Sequence, residues 1–307
     1  MLYTLMEIGI GLLFLIVLAD AARHYDKNSK KLLLLVLALI FALLFENINM
    51  FLAKGHIGSY FYNPNFTFYI WNTPLFVALA WAVLIYTAMH ISDMLKLKTL
   101  AKPFLDALIV VMINLTLDIV AIRQGIWTWV GHSHVQGWFG VPADNFIGWL
   151  FAVFMFSFLF RYFTRTEDDM IDKTTRTEYY FLLPAFAYLA MLVLFSIVNL
   201  AENILELTKS EELFLLWALV ILFAAMLRKP ISYPTVILNS DNYTIFTILA
   251  TRLIFYSYII WSIVLMEIYL ADPVTVVILI MTIIAEMFLY SAAFGSGKKD
   301  PDELPHY

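Results

Sequence analysis

The sequence predicts an all-α polytopic membrane protein of about nine transmembrane helices, with the N-terminus outside and the C-terminus cytoplasmic. Three observations lead there. Hydrophobic residues make up 62% of the 307 and charged residues only 14%, well below the roughly 25% charge of a soluble domain. Apolar runs long enough to cross a hydrocarbon core about 30 Å thick fall at 2–19, 32–52, 70–91, 104–122, 145–163, 180–200, 212–227, 245–270 and 274–294. The connectors after runs one, three, five and seven, with the tail, hold Arg23, Lys27, Lys30, Lys31, Lys96, Lys98, Lys102, Arg161, Arg165, Lys173, Arg176, Arg228, Lys229, Lys298 and Lys299; the other face has Lys54, Arg123 and Lys209. Fifteen against three is the asymmetry of cytoplasmic against outer loops. Residues 1–294 then form one membrane domain and 295–307 a polar cytoplasmic tail, in a multi-pass protein of the cell membrane.

Taken in order, the first run lacks a basic leading segment and ends in a charged stop rather than a small-residue cleavage site, so it is expected as a span and not a removed signal. The second carries Glu46 and Asn49 on one helical face. Glu46 is mid-helix with no basic residue within a turn. The loop 55–74 that follows is rich in Gly, Pro and aromatics, and Thr73-Pro74 leads into the third run with Ala80-Trp81. The fourth carries Asn114 and Asp118, one turn apart, below Arg123. The stretch 125–149 then crowds Trp127, Trp129, His132, His134, Trp138, Pro142 and Trp149 between two spans. Lipid-exposed irregular backbone is not tolerated at membrane depth, so such a loop folds back over a cavity. A belt of interfacial aromatics is the plainer reading of any single Trp or Tyr, but not of their concentration on one face.

The fifth run starts at Asn145, and the sixth ends in Asn199, Glu202, Asn203 and Glu206, a polar stripe at helical spacing. Arg252 and Glu267 lie in the eighth and Glu286 in the ninth; spacing excludes a contact between Arg252 and Glu267 within one helix. Ionisable residues inside spans are expensive and mark candidate sites, and the Glu46, Asp118 and Glu202 clusters all sit toward the outer ends of their spans, beneath the two loops.

Several chemistries are set aside. There are no cysteines, so thiolate metal sites and disulfides are out, and a net charge of −5 leaves no nucleic-acid footprint. The six histidines are too few and too divided between faces for a membrane di-iron centre. His132, His134 and His56 could hold one ion, but two interfacial histidines are the better reading, and no metal is expected. The acidic run Asp168, Asp169 and Asp172 is mixed with Lys173 and Arg176 and lacks a second aspartate motif, so it reads as a solvated charge run. Without an inverted repeat or paired broken spans, a transporter is disfavoured.

Glu46, the Gly55-x-x-Gly58-x-Tyr60-x-Tyr62 string, Thr73-Pro74 with Ala80-Trp81, Asp118 with Gly125-x-Trp127-x-Trp129, and Gly140-Val141-Pro142-x-x-Asn145-Phe146-x-Gly148-Trp149 together resemble the carotenoid biosynthesis protein family that contains the carotenoid 1,2-hydratases of the bisanhydrobacterioruberin hydratase type. The resemblance covers roughly residues 40 to 160. Asp118-Ile119 stands where the family usually has Asp-Pro, and Trp138-Phe139 where it has two tyrosines.

The resemblance implies a hydratase, a carbon–oxygen lyase without cofactor, that adds water to a terminal double bond of an acyclic carotenoid or related isoprenoid among membrane lipids. It leaves room for other carotenoid-pathway enzymes as partners. The residues fit this chemistry. Protonating an alkene needs a carboxylic acid kept neutral by burial, for which Glu46 and Asp118 are the candidates. Aromatic faces stabilise the resulting cation: Tyr60, Tyr62, Trp81, Trp127, Trp129, Trp138 and Trp149 are expected to bind substrate. Asn145, Asp144 or Glu202 would deliver and deprotonate water. The same protonation in a cyclase would end in capture by an internal alkene. Pigment or lipid binding without chemistry, or proton-coupled transport, would use the same polar groups.

Overall fold

Inside a bilayer only a helix or a closed barrel satisfies its own backbone, and the apolar runs accordingly become helices. The computed structural model describes residues 2–23, 30–54, 59–95, 97–133, 136–165, 173–208, 211–227 and 242–294. Gly55, His56, Gly58, His134, the 168–172 acidic run, Arg228, Lys229 and the 295–307 tail lie outside the described residues. The helices are α1 (Leu2–Ala22), α2 (Lys30–Ala53), α3 (Leu75–Met94), α4 (Lys102–Arg123), α5 (Ala143–Arg165), α6 (Lys173–Ile204), α7 (Glu212–Ala225), α8 (Asn242–Leu265), α9 (Ile268–Ala271) and α10 (Pro273–Phe294). Four short strands, β1 (Tyr60–Tyr62), β2 (Tyr69–Ile70), β3 (Thr73–Pro74) and β4 (Trp127–Trp129), form two antiparallel ribbons, β1 with β4 and β2 with β3.

Eight of the helices are long and apolar enough to cross a membrane. The seventh expected span differs: α7 has 14 residues, about 21 Å at 1.5 Å per residue. It lies along α5 from the first turn of that helix to its middle. At one end Glu212 meets Asp144 in the first turn of α5, and at the other the Phe223 ring lies 5.0 Å from Phe104 near the start of α4 and 5.3 Å from Phe154. Two boundaries also move. The third span starts at Leu75 rather than 70, because Pro74 is extended and closes the β2–β3 ribbon. The eighth breaks after Leu265, where Glu267 adopts a left-handed φ of 53°.

Large apolar side chains such as Phe51, Phe181, Phe214, Leu253 and Phe288 stand exposed on the helix surfaces, a surface suited to lipid and not to water. Within, α3 and α4 are the most enclosed and α1 and α10 the least. Buried polar ties join the helices at depth. Arg161, counted from sequence among the cytoplasmic cations, points inward: its guanidinium donates to Asp106 at 2.7 Å, Ser92 at 2.8 Å and the Met89 carbonyl at 3.2 Å, clamping α5 to α4 and α3. Asp20 accepts from Tyr86 and Thr244, tying α1 to α3 and α8. Arg252 pairs with Glu286 at 3.3 Å, joining α8 to α10.

The orientation rests on the Lys/Arg asymmetry and is open to a direct check. Reporters fused after Lys31 and after Lys102 are expected in the cytoplasm, and one inserted between residues 132 and 137 outside. A cytoplasmic signal from the last would invert the molecule and place the site described below on the other side.

Candidate active site

The β1–β4 ribbon roofs the site. Its register pairs Tyr60 with Trp129, Phe61 with Thr128 and Tyr62 with Trp127. Because side chains alternate across a strand, the two tyrosines and two tryptophans share one face while Phe61 and Thr128 are exposed on the other. The Tyr60 ring lies 4.9 Å from Trp129 and the Tyr62 ring 6.0 Å from Trp127.

Beneath the roof, Glu46 of α2 is 4% exposed and receives three hydrogen bonds. Tyr60 and Tyr62 donate to Oε2 at 2.6 and 2.7 Å, and the Trp81 indole N–H donates to Oε1 at 2.7 Å. Trp81 on α3 is held at this angle by Trp149 of α5, stacked face to face at 3.7 Å with 16° between planes. Three donors on two oxygens match an acceptor-only carboxylate. Burial, then the Glu46 charge, pushes both phenols well above their ordinary pKa, so they remain donors.

Asp118 of α4 is 1% exposed and bonded differently. Its Oδ2 accepts from Asn114 one turn earlier at 3.0 Å and from Asn145 of α5. Its Oδ1 is buried without a hydrogen-bond partner among the described residues. Asn145 is aimed by the turn before α5, in which Trp138 and Val141 exchange backbone hydrogen bonds at 2.7 and 3.1 Å. This turn needs Gly137, at φ 61°, where an added Cβ would lie 2.3 Å from the Val141 oxygen. Arg123, the basic residue next along α4 from Asp118, pairs elsewhere, with Asp272 at 2.7 Å.

Both carboxyls line one apolar cavity of about 750 Å³. Of the residues the sequence singled out, Glu46, Asp118, Asn145, Tyr60, Tyr62, Trp81, Trp127, Trp129 and Trp149 line it, as do Asp144 and His132. Two do not. The Trp138 indole turns away, donating to the Leu115 carbonyl at 3.0 Å and packing edge-on against Trp217 of α7 at 5.4 Å. Glu202 lies behind the rim, where Asp144, Glu202 and Glu212 bring carboxylate oxygens within 4.8 Å of one another; these are the acids among the described residues close enough to share a cation. Glu206, the last member of the predicted stripe, falls beyond the end of α6 in a left-handed conformation. Sequence reasoning missed the wall made by α8, whose Phe255, Tyr258 and Trp261 line the cavity. Their regular three-residue spacing was the available signal.

The model of the carotenoid biosynthesis protein family matches residues 5–216. The chain belongs to that family. No curated protein and no solved structure matches it. The family match reaches well beyond residues 40–160 and holds both carboxyls and the whole roof, but ends before α8. This carotenoid biosynthesis protein is therefore a polytopic membrane protein with a carotenoid-related substrate, and one helix from beyond the matched segment, α8, completes the wall of its aromatic cavity.

Proposed function

We propose that the protein is a hydratase that adds water to a terminal double bond of an acyclic carotenoid. The observation that carries this reading is the unequal bonding of two buried carboxyls in one aromatic, apolar cavity. Asp118 keeps one oxygen without a hydrogen-bond partner among the described residues and is assigned the acid; Glu46, with three donors, is assigned the anion. Asp118 gives its proton to the less substituted alkene carbon, and the π electrons form the new C–H bond. The positive charge left on the tertiary carbon faces the roof aromatics and the Glu46 carboxylate, which stabilise it electrostatically. A water at the rim, oriented by Asn145 and Asp144, forms the C–O bond. Its surplus proton returns to the Asp118 carboxylate, so the acid is regenerated and the net change is one water. Glu202 acts one step behind, through Asp144.

The experiment is expression in a lycopene-producing host with mass analysis of the pigments. A gain of one water per modified end is expected. An isomer of unchanged mass would replace the hydratase by a cyclase, and unchanged pigment would leave binding without chemistry.

A further inference from the structure

Gly9 on α1 and Gly148 on α5 sit in helix interiors, where glycine is a poorer helix former than alanine. In membrane helices glycine usually admits a neighbouring backbone. Neither does so here, because a Cβ built at either position meets nothing within 4 Å. Both line the cavity. Their missing side chains are therefore cavity space and not packing contacts.

Gly148 lies between the two supports that α5 gives the carboxyls. Asn145, one turn earlier, holds Asp118, and Trp149, the next residue, holds the indole that donates to Glu46. Gly9 marks another part of the wall. Leu5 on the same helix, and Ile254 and Trp261 of α8, line the cavity and are nevertheless 58%, 36% and 48% exposed. Residues that face both a cavity and the outside mark an opening; Leu52 of α2 and Ser196 of α6 do so on another side, and the opening between α1 and α8 is the one whose wall includes Gly9. An acyclic carotenoid is a long rod of which only the end must reach the acid, so the remainder needs a mouth that opens on lipid.

We propose that the space over Gly148 seats the branched end group of the isoprenoid beside Asp118, and that the polyene runs past Gly9 and leaves for the bilayer between α1 and α8. The identity of the reacting end rests on the hydratase reading; the path itself does not. A Cβ at either glycine meets nothing within 4 Å, so a Leu introduced there grows from its first atom into the path rather than into a packing contact.

Gly148→Leu, Gly9→Leu and Gly11→Leu are the variants to compare. Gly11 is the control: it lies on α1, also has nothing within 4 Å of a built Cβ, and does not line the cavity. Each protein is expressed in a lycopene-producing host and purified, and its melting temperature and retained pigment absorbance per protein are read. All three variants are expected to melt at or above the wild type. Retention falls about tenfold or more in Gly148→Leu and Gly9→Leu, the cost of overfilling a fitted site, and is unchanged in Gly11→Leu. Full retention in either cavity variant, failure of either to fold, or a wild type that holds no pigment overturns the path. The expected pattern across the variants, with a wild type that retains pigment yet forms no hydrated product, keeps the path and removes the hydratase reading.

Discussion

Asp118→Asn is expected to give a folded, membrane-inserted protein whose product formation falls by a factor on the order of a hundred or more, the usual loss when a general acid is removed. Asn keeps the size of the side chain, and its carbonyl can take the place of Oδ2, still accepting from Asn114 and Asn145. The new amide N–H₂ stands where Oδ1 had no partner among the described residues, so the substitution strands a buried amide nitrogen with its two N–H donors, at a cost of about 1–3 kcal/mol for each. A polytopic bundle with several buried ties survives that. The loss is specific to the proton: an amide cannot deliver one to an alkene. Product per unit of folded protein, measured beside membrane yield, is the reading that matters. Wild-type turnover in this variant would remove Asp118 as the acid and leave Glu46 and Asp144, the other carboxyls on the cavity wall, to be tested.

Much of this site is visible in the sequence because the bilayer makes polar residues conspicuous. Glu46 and Asp118 stand out in apolar runs that admit a charge only at a cost, and each proves to face the cavity with a complete set of local partners or one open oxygen. The roof is partly legible as well. Tyr60-x-Tyr62 and Trp127-x-Trp129 have the period of two that a strand requires, but their pairing joins residues far apart in sequence, which local pattern cannot supply. Trp138 misled because a Trp in a Gly/Pro loop carries no mark of its direction; its N–H went to a backbone acceptor within α4, the Leu115 carbonyl. Arg161 misled for the opposite reason. At the end of an apolar run it reads as an interfacial cation, whereas Asp106, Ser92 and the Met89 carbonyl offer enough acceptors to draw it inside. The α8 wall is the most remote from sequence reasoning, since an aromatic stripe on a lipid-soluble helix looks the same whether it faces lipid or substrate.

The second large effect is expected at Glu46, where charge and architecture must be separated. Glu46→Leu would leave the Trp81 N–H and the Tyr60 and Tyr62 hydroxyls without their acceptor, about 1–3 kcal/mol for each one stranded in the interior, so loss of activity there could be loss of fold. Glu46→Gln avoids this. Trp81 can only donate, so the amide oxygen must turn to it and the amide nitrogen to the two phenols. Phenolic oxygens also accept, and both tyrosines can reverse their hydroxyls to receive the new N–H groups. The roof therefore stays in place while the negative charge beneath the cation is gone. If that charge stabilises the tertiary cation, Glu46→Gln lowers product formation by a factor on the order of a hundred, the scale of one well-placed electrostatic group in a dry site. Tyr60→Phe and Trp129→Phe keep an aromatic face in the roof and should each cost much less. All four variants belong in one assay, normalised to folded protein. Near-wild-type turnover in Glu46→Gln beside a dead Asp118→Asn would reduce Glu46 to an anchor for the roof, and equal losses in Glu46→Gln and Tyr60→Phe would point the same way.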